Sequence, residues 1–453
     1  MSNNDANITP SIPFRRATID DKALFERLVI NSQCRNCDMS FANIFCWQES
    51  YHSQVALYNE FLLIRFTTDR GESAYMQPIG SGDKRPIIEA LAADAALLTE
   101  PLRLFGLNEE WREFLAENYP DTFAFCNPAA HNDYIYLASD LATLLGRKYQ
   151  PKRNHINRFV SRYSYRFEPI NGDNIEDCRY LNQVWCNNKG SQCEIAEQRA
   201  ISRALDNFSL LPLEGWILYA DNTPCAYSIG SAVNYDTFCI HIEKVDTTFE
   251  GAGAMVNNLV AVELQQRFKY INREDDLGIE GLRRAKQSYH PIELLAKYSA
   301  LQLTTLEQQM IGLWSDVFGD QREFIEQFMV QLYNPELCLT HIEGDRLTSM
   351  LHIVPLDSGD DTSAYIYAVA THPDYRGRGY ASALIQRAID YIQKAGIYSR
   401  IILVPSSDKA ATFYTKFGFE QTDILLDQFC INIDFDLGSG EAERDFVMMK
   451  KIY

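Results

Sequence analysis

The chain has 453 residues, 46% hydrophobic and 23% charged, the ordinary balance of a globular protein, and its length predicts two or three domains. Its formal net charge of -19 repels phosphate backbones, so broad nucleic-acid binding is disfavoured, although a local basic patch could still hold one RNA. The composition excludes general disorder and fibrous repeats.

Residues 1–14 read as a disordered lead-in without an apolar signal core. No stretch approaches the roughly 20 apolar residues of a membrane helix. The longest apolar run, Phe208 to Ala220, is interrupted by Pro212 and Glu214. A soluble, cytoplasmic chain is expected. Its 11 cysteines are odd in number and lack a disulfide rhythm, which predicts reduced thiols. Cys34 and Cys37 form one CxxC, but no second Cys or His pair follows at zinc-finger spacing, so no metal is expected.

A first lobe is predicted over 15–146. Tyr58–Thr67 and Ser73–Ile79 read as a strand pair around an Asp-Arg-Gly turn, Pro86–Leu98 as a helix, and Leu102–Gly106 and Phe123–Phe125 as short strands. A second lobe follows over 147–300. It opens with a basic stretch, RKYQPKRNHINRF, that reads either as a solvated helix start or as a phosphate-binding patch. Gly215–Ala220, Ala226–Ala232 and Thr237–Val245 read as consecutive strands, then a Gly-containing loop and a long helix.

The third segment covers 301–453. Amphipathic helices over Leu306–Phe318 and Arg322–Tyr333 precede a strand pair turning at Gly344-Asp345. A strand (Ala364–Thr371), a helix (Gly377–Ala395), a strand (Arg400–Pro405) and a helix (Asp408–Phe417) come next, and Leu437–Asp445 reads as an exposed hairpin loop. The order predicts an α/β (α+β) layer arrangement, a mixed central sheet flanked by helices.

The chemistry concentrates in Tyr365–Gly396, YIYAVATHPDYRGRGYASALIQRAIDYIQKAG. A strand ends near Thr371, the loop runs through Arg376, Gly377, Arg378, Gly379, Tyr380 and Ala381, and a helix begins with apolar residues at Ala381, Leu384, Ile385, Ala388, Ile389 and Ile392. A helix N-terminus offers free N–H groups and the positive end of the dipole. Gly377 and Gly379 let the backbone approach an anion closely, and Arg376 and Arg378 add charge. About 25 residues on comes SRIILVPSSDKAATFYTKFGFEQT, a buried strand and a short helix.

These two stretches resemble the paired motifs of GNAT acetyltransferases. The resemblance implies an N-acetyltransferase that uses acetyl-CoA (coenzyme A) and transfers the acetyl group to a primary amine, on a small molecule or a peptide, by direct attack. It implies that the strands around Ala364–Thr371 and Arg400–Pro405 part into a V. The pyrophosphate loop falls on Arg376 to Ala381, and Tyr414 protonates the leaving thiolate. A backbone N–H near Val369 and Ala370 polarises the thioester carbonyl. Ser407 stands where many members have Asn. The family's acidic base is missing from the strand, and His352 and His372 are the substitutes within sequence reach.

The first 300 residues resemble another family. SFANIFCW, HNDYIY, KRNHINRF, HIEKVD and INREDDLGIEGLRRAKQSYHP match an uncharacterised bacterial family related to the soluble catalytic part of phosphatidylglycerol lysyltransferases. That resemblance implies two GNAT-like lobes and, by analogy, an aminoacyl-tRNA substrate; the membrane-spanning part of those enzymes has no counterpart in this sequence. Three stacked GNAT-like units are therefore expected. Phe249–Met255 lies on Tyr375–Ala381 at an offset of 376 − 250 = 126 residues, with Glu250 in the place of Arg376. A carboxylate there repels a pyrophosphate, so the second lobe is expected not to bind CoA phosphates in the same way. Lys152, Arg153 and Arg158, with Arg283, Arg284 and Lys286, are left either as an inter-lobe ion-pair network or as a phosphate or acceptor site. The competing readings of the whole chain are an aminoacyltransferase carried by the front half and a non-catalytic acetyl-CoA sensor.

Overall fold

A computed structural model describes residues 11–189, 194–357, 362–429, 435–438 and 446–452. The chain forms two compact units: Met1–Trp111 with Asn127–Ser299, and Arg112–Cys126 with Ala300–Tyr453. Elements are numbered in chain order.

Unit 1 contains two sheets. The first joins β1 (Arg15–Arg16), β2 (Gln54–Tyr58), β3 (Phe61–Thr67), β4 (Ser73–Met76), β5 (Ile79–Gly80) and β6 (Arg103–Leu107), with β5 on β3 and β4 parallel to β6. Helices α1 (Lys22–Phe25) and α2 (Phe41–Trp47) share a core with it, and α3 (Arg85–Leu97) runs between β5 and β6. The expected strand Tyr58–Thr67 is broken at Asn59-Glu60, whose φ values of 47° and 63° make the two-residue hairpin turn that joins β2 to β3. Two residues of the expected lead-in, Ile12 and Phe14, are packed. Residues 1–10 lie outside the described residues, but Ile12 is buried, and the Phe14 ring meets Tyr75 at 6.0 Å beneath the Arg65 guanidinium.

The second sheet of unit 1 runs β14 (Glu293–Leu295), β8 (Asp133–Leu137), β13 (Tyr270–Asn272), β12 (Thr237–Val245), β11 (Thr223–Ala232), β10 (Glu214–Ala220) and β9 (Tyr165–Pro169). The second lobe thus begins earlier than residue 147. β8 pairs with β13 and β14, so Asp133–Leu137 belongs to this lobe, as does α5 (Ala138–Thr143), which packs on the lobe's central helix. The other helices are α6 (Gln150–Arg162), α7 (Ile175–Lys189), α8 (Ile195–Asp206), α9 (Ala252–Leu264) and α10 (Glu280–Gln287). The β10–β11 turn, Asp221-Asn222, again has both φ values positive.

Unit 2 takes in the end of α4 (Glu109–Asn118) and β7 (Phe123–Cys126), then resumes within β15 (Tyr298–Gln302). Glu326 accepts from the Phe125 N–H at 3.0 Å, and the Leu303 N–H reaches the Thr122 carbonyl at 2.8 Å, which explains why this early segment packs with late residues. α11 (Thr305–Phe318) opens with a Thr304/Glu307 capping box and stops at Gly319 in the left-handed region. α12 (Arg322–Gln331) follows. The unit's own sheet runs β16 (Cys338–Glu343), β17 (Arg346–Asp357), β18 (Thr362–Thr371), β19 (Arg400–Leu403), β21 (Phe446–Lys451) and β20 (Glu420–Leu425). α13 (Tyr380–Ala395) crosses from β18 to its parallel neighbour β19, burying Leu384, Ile385, Ala388, Ile389 and Ile392, the expected stripe less Ala381. α14 (Asp408–Thr415) follows β19. The expected exposed loop at Leu437–Asp445 is buried at its start, where the Leu437 carbonyl accepts from Tyr365; residues 439–445 lie outside the described residues.

Each sheet therefore holds a parallel pair bridged by a helix: β4/β6 by α3, β12/β13 by α9 and β18/β19 by α13. The β-α-β crossover is the common scaffold.

Candidate functional sites on two parted strand pairs

In unit 2, β18 and β19 pair only at Ser363–Arg400, Ala364–Ile401 and Tyr365–Ile402. Beyond Tyr365 the strands part, and β18 continues to Thr371 against β17 alone. A bulge interrupts the β17–β18 register after Met350, with Ala368 at φ 49°, and re-aims the strand at Val369 and Ala370. Ser349 Oγ steadies the far end by donating to the Ala370 carbonyl at 2.8 Å.

The loop that follows ends in Gly377 (φ 80°) and Gly379 (φ 86°), the latter capping α13. A Cβ on either glycine would meet nothing within 4 Å, so the backbone faces open space. The first helical bond of this turn runs from Ala383 to Gly379. The amides of Tyr380, Ala381 and Ser382 are then free to donate, and no acidic residue lies in the turn. Arg376 Nε–H is held on the Thr371 carbonyl at 3.2 Å. Arg378 lies over the Tyr375 ring at 4.8 Å, with Glu343 3.5 Å away. Tyr380 stacks on His341 at 3.8 Å, and its hydroxyl donates to Glu343.

Tyr414 sits on α14 and is buried, its ring against Phe413 and Phe419. Burial pushes the phenol up to about 12, so it is protonated at neutral pH. Ser407 caps α14 by accepting from the Ala410 N–H at 3.2 Å, which commits its oxygen to the helix. His352 is buried among Trp314, Phe328 and Tyr333, and burial lowers its imidazole to about 3. His372 caps a short turn through Nδ1, and Arg346 reaches its Nε2 at 2.7 Å. Neither histidine is placed as a ready base.

The second lobe of unit 1 repeats the device. β12 and β13 pair at Thr237–Tyr270, Phe238–Ile271 and Cys239–Asn272 and then part. A bulge falls between Ile229 and Gly230 of β11, leaving His241 as the extra residue on β12. Here, however, the glycine loop is shut. α9 starts after Gly251, so the aligned Gly253 lies inside the helix, and a Cβ at Gly251 would fall 2.3 Å from the His155 carbonyl of α6. Glu250 is clamped by Arg158 at 2.9 Å and by Arg162.

Ionisable side chains fill the parting instead. His241 Nδ1 is 2.9 Å from Glu274, its Nε2 is 2.7 Å from Ser231, and Cys239 Sγ is 3.9 Å from Glu274. Cys37 packs against Cys239 beside Val233. Its amide and thiol both reach Asp133, at 2.9 and 3.3 Å. Lys297 lies 2.8 Å from Asp133 and 3.0 Å from Asp38. Burial alone would lower His241, but Cys239 and Glu274 outweigh it and hold the imidazole up to about 10.

A family model described as phosphatidylglycerol lysyltransferase, C-terminal, matches residues 31–301, more than half of the chain. The chain belongs to this family. A second model, the acetyltransferase (GNAT) domain, matches residues 298–422, so the lysyltransferase-family region is followed by an acyltransferase domain of the GNAT type. The three mixed sheets flanked by helices are consistent with the GNAT-like units expected from the sequence.

A conserved protein of unknown function from Bacteroides thetaiotaomicron has a solved structure with TM-score 0.63 at 41% identity, covering 64% of this chain and 100% of that one. An uncharacterised protein of Mycoplasmoides gallisepticum is 27% identical over 177 residues, 37% of this chain and 54% of that protein. An uncharacterised N-acetyltransferase of Methanocaldococcus jannaschii is 38% identical over 63 residues, 14% of this chain and 28% of that protein. The chain therefore spans about half the length of the first curated relative and less of the second.

Within the lysyltransferase-family region, the six basic residues singled out in the sequence each have partners of their own. Lys152 donates to Ser288 at 2.6 Å and lies over Tyr289, and burial with nearby Arg273 lowers it to about 8. Arg153 donates to the Leu144 and Gly146 carbonyls, and Arg158 holds Glu250. Arg283 grips Asp276 at 3.0 Å, and Arg284 pairs with Glu280 along α10. Lys286 is buried, with its ammonium on the Arg273 and Asp275 carbonyls. Each of these contacts ties the residue to the fold. Among the described residues no helix is long and apolar enough to cross a membrane.

The Cys239, His241 and Glu274 cluster went unread as a site in the sequence. Its residues fall in two of the family motifs, HIEKVD and INREDDLG, or just before them, but nothing in their spacing announces that β12 and β13 lie side by side.

Proposed function

We propose that unit 2 is an acetyl-CoA-dependent N-acetyltransferase acting on a primary amine. The observation that carries the reading is the open glycine loop at the N-terminus of α13, directly beyond the parting of β18 and β19. Both glycines present bare backbone to free space, and no acid opposes an anion within the first turn. That fits a diphosphate such as the one coenzyme A carries. Acetyl-CoA supplies an acetyl thioester, activated for attack by an amine.

The residues of this chain supply the rest. Amides of Tyr380 and Ala381, with Gly377, Arg376 and Arg378, hold the diphosphate. The Val369 and Ala370 backbone, offset by the bulge, lines the parting where an acyl group lies, and an N–H there stabilises developing negative charge. Tyr414 keeps its proton at neutral pH and delivers it to sulfur. Burial that raises a phenol raises a neighbouring thiol as well, so the transfer stays balanced. Ser407 supports this arrangement by fixing the start of α14.

The test is a free-thiol release assay over an amine panel, run beside Tyr414→Phe and Arg376→Glu. Lower turnover with cofactor affinity kept is expected for the first, and weaker cofactor binding for the second. Unchanged rates and affinities in both would remove the reading.

A second reading is favoured by the family match over residues 31–301: aminoacyl transfer from a charged tRNA, carried by unit 1. Release of labelled amino acid from aminoacyl-tRNA to an amine, insensitive to Tyr414→Phe, would select it.

A further inference from the structure

We propose that the second lobe of unit 1 holds one divalent cation of the zinc class between the parted strands β12 and β13, ligated by Cys239, His241 Nδ1 and Glu274, with the fourth position left to solvent. Among the described residues these first three form the group whose ligand atoms all lie within 4.8 Å of one another. The donor set is mixed thiolate, imidazole and carboxylate, the chemistry that selects zinc over calcium or magnesium. Tetrahedral zinc spaces its ligand atoms roughly 3.3–3.8 Å apart. The 2.9 Å between His241 and Glu274 and the 3.9 Å between Cys239 and Glu274 need only small adjustments to meet that spacing.

Three independent features support the site. Cys239 and His241 are two residues apart on one strand, and the bulge at His241 re-aims its ring where the strand leaves its partner. The outer shell is already in place: Ser231 fixes His241 Nε2 at 2.7 Å, and Asn43 donates to Glu274 at 3.2 Å. Finally, Cys239 and Cys37 are buried while the Glu274 side chain is 28% exposed, so the site is enclosed on the sulfur side and reachable from the carboxylate side.

Binding exchanges protons for metal. Every proton held on Cys239 Sγ and on His241 Nδ1 passes to solvent, the imidazolium that Cys239 and Glu274 favour included, so the cation replaces hydrogen bonds that now run within the cluster. The glycine loop of this lobe is plugged by α6, so the cation occupies the one part of the device left to a ligand. This assignment does not rest on the acetyltransferase reading.

The test uses the full chain, stripped with a chelator and titrated with Zn2+ and with Co2+. One equivalent per chain should survive desalting, and Co2+ should give a thiolate-to-metal charge-transfer band. His241→Gln and Cys239→Ser should each weaken binding by more than about 100-fold, beyond the usual loss for an outer-shell change. Ser231→Ala removes only the bond to His241 Nε2, so it keeps the fold and should weaken binding about 10–100-fold. Cys46→Ser, a buried cysteine elsewhere in unit 1, should bind as the parent does. Failure of the parent to retain stoichiometric metal, or equal affinity in Cys239→Ser and Cys46→Ser, would overturn the proposal.

Discussion

Two regions of this chain carry the same backbone device and use it differently. In unit 2, β18 and β19 part after three paired residues and a glycine loop opens onto free space. In the second lobe of unit 1, β12 and β13 also part after three paired residues, but α6 fills the loop and ionisable side chains fill the parting. A few positions decide the difference. Gly377 faces nothing where Gly251 faces the His155 carbonyl, Arg376 is exchanged for Glu250, and the bulge that holds Ala368 in one sheet holds His241 in the other. A β-α-β crossover with a parting makes a pocket by geometry; the side chains at its rim decide whether an anion, a cation or nothing is welcome.

The largest effect that would sharpen this comparison is on catalysis. A general acid contributes about 10^2–10^4-fold, so Tyr414→Phe should lower kcat by that order while the cofactor Kd stays within about twofold. Since burial holds the phenol up to about 12, the rate of the parent should show no alkaline fall from this group below about pH 10. A fall near neutral pH that vanishes in Tyr414→Phe would assign the residue a different role.

Unit 2 also hides a pH-sensitive core group, displaced in the opposite direction from His241 of unit 1. Burial holds His352 down to about 3, whereas an unfolded histidine titrates near ~6.5. The unfolded chain binds a proton below ~6.5 that the folded one refuses until about pH 3, so stability present above ~6.5 is lost as the pH falls through that window. The slope is about 1 kcal/mol per pH unit. Urea melts between pH 7 and pH 4 should show it, and His352→Phe should flatten it. Equal slopes in parent and variant would mean that His352 reaches solvent or a partner in solution.

The two glycine loops can be compared directly. Ala at 251 adds a Cβ 2.3 Å from the His155 carbonyl at a left-handed φ, so Gly251→Ala should cost on the order of 3 kcal/mol or more. Gly377→Ala suffers only the left-handed strain, about 1–2 kcal/mol, and should show its main effect as weaker cofactor binding. Thermal melts of both variants check the contrast, and equal losses would break it. Arg376→Glu belongs beside them, with an expected 10–100-fold rise in cofactor Kd and little change in melting.

How far the sequence alone reaches differs between the same two regions. The unit 2 site was legible because its parts are consecutive: the apolar stripe of α13, Gly377, Gly379 and Tyr414 all lie within one short stretch of chain. The structure adds what spacing cannot carry, namely that Ser407 caps a helix and that His372 is tied to Arg346. The cluster in unit 1 draws on Cys239, His241 and Glu274, which only strand pairing brings together, and on Cys37, which packs against Cys239. The placement of β8 was missed for the same reason, because its partners β13 and β14 lie more than 100 residues away.

The smallest expected effect probes whether charge or space closes the loop in unit 1. Glu250→Gln removes the carboxylate held by Arg158 and Arg162, leaving two arginines at the N-terminus of α9. If repulsion alone kept diphosphates out, that variant would gain affinity for coenzyme A. The contact of Gly251 with the His155 carbonyl argues otherwise: the amides that would grip the anion are covered by α6 whatever the charge. Exposed ion pairs also contribute little to stability, so melting should barely move. Isothermal titration of Glu250→Gln, in a chain whose unit 2 loop carries Arg376→Glu, should therefore detect no new coenzyme A site. Tight binding there would show that the two partings differ by a single side chain rather than by the helix packed over one of them.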